Sequence, residues 1–171
     1  MIFDGRWKSE LKRLSWEISF WHKLPVFCAY AEHRLNRAVL YSATILRKII
    51  EDETEAETIA KEAKISPPKL ITVRSALEAI KYPYTGEDGW VIRSKLCASD
   101  YGKGQNVFIN SKDVCNWLLH SYVWGIARNE NEKCFAGFLV ASDFDKEKFV
   151  HFISFEEWNA LLKVVMKNSI L

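Results

Sequence analysis

The chain has 171 residues, 24 lysines and arginines against 22 aspartates and glutamates, 49% apolar residues and seven tryptophans. A net charge of +2 with that apolar content excludes a disordered chain. The longest apolar run, residues 135–141, is far shorter than the roughly twenty residues a membrane helix needs. One folded domain over 1–171 is expected, with a helical hairpin lobe at 1–65 and a mixed lobe at 66–171. Charges among the first eight residues interrupt any secretory signal, so a cytoplasmic location is expected.

The first element is a helix in which Trp7, Leu11, Leu14, Ile18 and Trp21 recur at steps of three and four and form one apolar stripe. Asp4 is its candidate N-cap and Pro25 its stop. A longer helix is predicted over 26–52, with Leu35, Ala38, Val39, Leu46 and Ile49 facing inward, so the pair forms an antiparallel hairpin. A separate short helix fits 54–64, ended by Ser66-Pro67-Pro68.

Residues 70–84 stay ambiguous between strand and helix. A strand fits 90–97 and an exposed loop fits 100–104. Ser111 opens a short helix to about Ser121. Three β-prone runs at 122–128, 134–142 and 149–153, joined by polar connectors, predict an antiparallel meander. Ser154-Phe155-Glu156-Glu157 matches a capping box that starts a final helix. The fold class is α+β.

Charge is distributed unevenly. Residues 1–50 hold nine basic and four acidic side chains, residues 51–63 hold one and six, residues 64–112 eight and four, and residues 113–171 six and eight. A basic hairpin beside an acidic block leaves room for an anionic partner on one face. The solvated side of ordinary helices gives the same statistics.

The familiar chemical signatures are missing. There is no phosphate-cradling glycine loop, no Gly-x-Ser-x-Gly and no His-Glu-x-x-His. Cys28, Cys97, Cys115 and Cys134 are too scattered for a zinc ribbon, and free thiols are expected. Neither cofactor nor metal is implied. Among the histidines, His22 and His33 flank the Pro25 turn, and His151 sits in a strand on the face opposite Val150 and Phe152.

His120 stands out because Asn116 precedes it by four residues and shares its helical face. Asparagine is disfavoured within helices, so a reason to keep it there is needed. Either it orients the imidazole at a functional site, or the two form a buried pair that specifies packing.

The basic helix, with Arg34-Leu35-Asn36-Arg37 and Arg47-Lys48-Ile49-Ile50-Glu51, followed by a helix carrying Asn-x-x-x-His, resembles the HEPN group. These are helical domains of bacterial toxin–antitoxin and phage-defence systems, many of them metal-independent ribonucleases. The resemblance implies Asn116 and His120 as active residues. The family's arginine position is Cys115 here, so Arg37, or Arg34 or Arg47, would have to bring the guanidinium from the long helix. That cation would stabilise phosphate charge while the imidazole moves a proton.

Aromatic and basic residues form a second constellation. Trp117, Tyr122 and Trp124 with Arg93 and Lys95, together with Arg34 and Arg47, are the candidate binding residues for stacked bases and phosphates. Tryptophan and tyrosine also anchor protein interfaces and cores. Three functions therefore stand side by side. One is a HEPN-like defence protein, catalytically degenerate, that binds RNA. Another is an immunity or antitoxin type protein that binds a partner protein or a second copy of itself. The third is a sensor with a ligand pocket between hairpin and sheet.

Overall fold

A computed structural model describes residues 6–25, 28–66, 75–84, 102–120, 124–129, 133–142 and 148–168. Helix α1 (Arg6–Trp21) buries Leu11, Leu14 and Ile18 on the expected stripe, but Trp7 at its start stays exposed. The turn containing Pro25 leads to α2 (Ala29–Glu62), where the Cys28 sulfur accepts the Ala31 N–H at 3.4 Å as a cap.

At 34 residues, α2 is about 50 Å long. The separate helix expected after residue 52 does not exist. The long helix continues through the acidic block because ion pairs one turn apart hold it: Arg47–Glu51 at 2.9 Å, Lys48–Asp52 at 3.0 Å and Lys61–Glu57 at 3.1 Å. It ends where Lys64 adopts a left-handed φ of 54° and the Ile65 N–H reaches back to the Ala60 carbonyl.

Five strands follow: β1 (Ala76–Pro83), β2 (Gln105–Asn110), β3 (Trp124–Asn129), β4 (Cys134–Val140) and β5 (Phe149–Ser154). Helix α3 (Ser111–His120) lies between β2 and β3, and α4 (Phe155–Asn168) closes the described chain. The sheet is antiparallel throughout, in the order β2-β1-β5-β4-β3. The α+β class and the C-terminal meander followed by a helix are as the sequence implies.

The ambiguous stretch 70–84 contains β1. Its Leu77 and Ala79 belong to the main core and its Tyr82 to a second cluster on the other face, so burial on both sides erases simple alternation. Strand β2 follows the expected loop and carries no advance signal in the sequence reading. The Asp4 cap and the expected strand at 90–97 lie outside the described residues.

In β4 the pairing shifts between Ala127 and Arg128 of β3, leaving Ala136 as an extra residue. The bulge turns Phe135 onto the same face as Phe138, and both are fully buried. Gly137 is required beside it, since a Cβ there would stand 2.2 Å from the Ile153 carbonyl oxygen.

One core unites hairpin and sheet: Leu14, Ile18, Leu35 and Leu46 meet Phe138, Ile153 and Trp158. Trp158 donates from its indole N–H to Ser42 at 2.9 Å, and Ser42 donates to the Val39 carbonyl. That chain satisfies two buried polar groups and pins α4 to α2. Half of the capping box forms: Ser154 accepts the Glu157 N–H at 3.1 Å. The Glu157 carboxylate reaches instead to the Glu78 N–H, 3.0 Å away, which lies beyond the β1–β5 pairing.

Candidate functional site

Helix α3 packs on α2 through Val114, Cys115 and Leu118, all buried. Burial pushes the Cys115 thiol up to about 12, only slightly countered by the nearby Arg47 charge. A thiol so held is neutral and inert at physiological pH. Arg47 is thus the long-helix arginine beside the motif helix, but it is committed to Glu51 at 2.9 Å.

Asn116 is half-buried, and its Oδ1 has no hydrogen-bond partner. His120 ends the helix exposed, and no described residue hydrogen-bonds or ion-pairs with it. The buried Asn–His pair weighed from the sequence is therefore not the arrangement found. Arg37 interacts elsewhere, over the Tyr41 ring at 5.8 Å and electrostatically with Glu10 of α1. Ten residues separate Arg37 from Arg47, about 15 Å along the helix. The structure gives His120, Asn116 and Arg37 no shared interaction.

The remaining candidates divide. Trp117 stacks on buried His151, with ring centroids 5.0 Å apart and planes within 20°, so it is a packing residue at the sheet. Trp124 is half-buried against the core. Tyr122, Arg93 and Lys95 lie outside the described residues. His22 and His33 do not meet. His22 is buried against Phe155, 3.6 Å from Glu156, while His33 is exposed on α2. Burial lowers the His22 pKa below its ordinary value, Glu156 partly offsets this, and Lys23 adds to it. His22, Glu156, Cys134 and Asn129 line a groove of about 520 Å³ between the hairpin turn and the sheet.

A larger assembly occupies the outer seam of the hairpin. On α1, Lys8, Lys12, Trp16 and Phe20 follow at steps of four, so they form one row. On α2, Tyr30, Arg34, Arg37 and Tyr41 form a second row at steps of three and four. The two helices meet at Trp21–Tyr30, edge to face at 5.3 Å, and at Glu17–Arg34, 3.0 Å, and Phe20 joins this contact through Trp21, edge to face at 5.0 Å. Trp16 and Phe20 stack at 5.3 Å within 13° of parallel. Trp16 is 62% exposed, Tyr30 59% and Tyr41 54%, well beyond the burial of core aromatics.

Charge along this seam is unbalanced. Glu17 is buried and shared by Arg13 and Arg34, and Glu10 is held by Arg13, which keeps its carboxyl below the usual range. Among the described residues no carboxylate pairs with Lys8, Lys12 or Lys23, and all three are exposed. The acidic block neutralises Arg47 and Lys48 one turn away but leaves the first half of the hairpin basic.

Of these residues the sequence reading singled out only Arg34 and Arg37 for the site. The available signal was Trp16 and Phe20 lying off the apolar stripe and in line with two lysines. Among the described residues no group of three or more histidine, cysteine or acidic side chains could hold a metal ion. No protein-family model, no curated protein and no solved structure matches the chain.

Proposed function

We propose that this chain is a HEPN-like cytoplasmic protein of a bacterial defence or toxin–antitoxin system that binds RNA and does not cut it. The observation that carries the binding is the outer side of the hairpin, where the exposed, stacked rings of Trp16 and Phe20 lie in line with Lys8 and Lys12, which pair with no carboxylate among the described residues. Rings stack on unpaired bases while cations hold phosphates, which suits a single strand. The absence of cutting follows from the motif helix: Cys115 replaces the arginine, Arg37 interacts with the α1 side, and Arg47 is paired with Glu51. Without a free long-helix guanidinium beside the motif helix, charge building on the phosphate has no counter-charge from α2.

Fluorescence anisotropy with a labelled single-stranded RNA tests the binding, and gel analysis of the same RNA with EDTA present tests the cutting. Binding that weakens steeply with salt, and intact RNA with wild type and His120→Ala alike, are expected. Cleavage by wild type that His120→Ala abolishes would overturn the non-catalytic reading. A partner protein is the second reading, favoured by tryptophan, tyrosine and arginine gathered on one surface, the composition of interface hot spots. Failure to bind RNA, with a stoichiometric protein retained by wild type and lost on Trp16→Ala, selects it. Among the described residues no helix is long and apolar enough to cross a membrane.

A further inference from the structure

The two outer strands of the sheet are finished differently. On β3 the pairing is broken by the bulge opposite Ala127 and Arg128, and Arg128 carries a charge that reaches Glu32 of α2 at 3.6 Å. Bulges and charges are the usual devices that stop an edge strand from recruiting another. Strand β2 has neither. Its sequence, Gln105-Asn106-Val107-Phe108-Ile109-Asn110, contains no charge, proline or glycine, and its register with β1 is unbroken over all six residues.

Among the described strands, β2 is the end of the sheet. The Ser111 N–H bonds to the Ser75 carbonyl at 3.0 Å, so by the alternation of an antiparallel ladder Ile109 and Val107 also aim their backbone groups at β1. Asn106 and Phe108 aim theirs outward, and no strand among the described residues pairs with them from that side. The Phe108 ring is 75% exposed, the most exposed large apolar side chain among the described residues. It borders a groove of about 380 Å³ with Ile80 and Phe152, whose margin carries Glu78 and Glu157, so apolar surface bordered by carboxylates runs from the edge onto the sheet face.

We infer that β2 pairs antiparallel with β2 of a second copy of this chain, joining two five-stranded sheets into one across a twofold axis. A second copy is favoured over a foreign peptide by charge. An uncharged strand meets itself without repulsion, and it offers a charged peptide nothing to select. Antiparallel pairing of identical strands is self-complementary, as a twofold interface requires. Association stops at two, because pairing consumes both β2 edges and leaves outside only the β3 edges, which carry the charge of Arg128.

Sedimentation velocity at tens of micromolar protein tests this. Wild type sediments as a dimer in reversible equilibrium with monomer. Phe108→Lys and Phe108→Glu are each monomeric, since like charges oppose each other across the axis, and an equimolar mixture of the two restores the dimer. Because Phe108 is exposed, circular dichroism and the unfolding midpoint stay at wild-type values in both variants. A monomeric wild type, a dimer that survives Phe108→Lys, or assembly beyond two copies overturns the inference. No residue of the hairpin is involved, so the variants keep wild-type RNA affinity, and loss of the dimer leaves the RNA-binding reading standing.

Discussion

The inner and outer sides of the α1–α2 hairpin use the same residue types for opposite ends. Inside, Trp158 of α4 lies against α2, fully buried, with its indole N–H bonded to Ser42. Outside, Trp16 stands mostly in solvent, stacked on Phe20 and satisfying no buried group. Charge divides the same way along α2. Arg47 and Lys48 are balanced by Glu51 and Asp52, whereas the lysines in line with Trp16 pair with no carboxylate among the described residues. Composition counts both tryptophans and both lots of lysine alike, so neither seven tryptophans nor a charge of +2 describes the surface a partner meets.

The contrast can be broken most sharply at the two tryptophans. Trp158→Ala opens a cavity and removes the donor to the Ser42 hydroxyl, with an expected loss of about 3–5 kcal/mol in urea unfolding. Trp16→Ala should stay within about 0.5 kcal/mol of wild type. Equal losses would erase the distinction between the two sides. In RNA binding the ranking inverts: Trp16→Ala and Tyr30→Ala each weaken affinity by about 1–3 kcal/mol by anisotropy. Next in size is Glu17→Ala, which removes the buried carboxylate serving Arg13 and Arg34. A loss of about 1–2 kcal/mol is expected, because both guanidiniums remain partly solvated.

Smaller effects sharpen the charge half of the comparison. Lys8→Gln with Lys12→Gln should flatten the dependence of log affinity on log salt by about 0.7 per lysine, while Lys48→Gln leaves it unchanged. The smallest concerns pH. Burial depresses the folded-state pKa of His22, so the unfolded chain binds the proton more readily. The His22 contribution is present above the ordinary histidine value of 6.5 and is lost as pH falls through the lower folded value. His22→Gln should therefore reduce the drop in unfolding midpoint between pH 7 and pH 5, measured by thermal melts.

Much of the fold was legible in the chain. The stripe of Leu11, Leu14 and Ile18, the meander, and the Ser154 cap all rest on local periodicity or on a hydrogen bond within one turn, which neighbours in sequence determine. The joining of 26–52 and 54–64 into one helix was missed because the acidic run reads as a boundary. It is held instead by cross-turn ion pairs whose partners precede it. Strand β1 was unreadable because both of its faces are buried.

The candidate site divides on the same line. Sequence spacing placed Asn116 and His120 on one helix face, since a four-residue step does so in any helix. Which arginine stands near them depends on how α3 is laid across α2. Only that packing brought Arg47 to Cys115 and left Arg37 with Tyr41 and Glu10. Likewise the sequence placed Arg13 one turn from Glu17, but pairing of α1 with α2 decided that Arg34 also reaches that carboxylate, while Lys8, Lys12 and Lys23 meet none among the described residues. Short-range order follows from residues a turn apart. Exposure, pairing of charge and the two unlike edges of the sheet follow from contacts between residues tens of positions apart, and those exist only once the chain has folded.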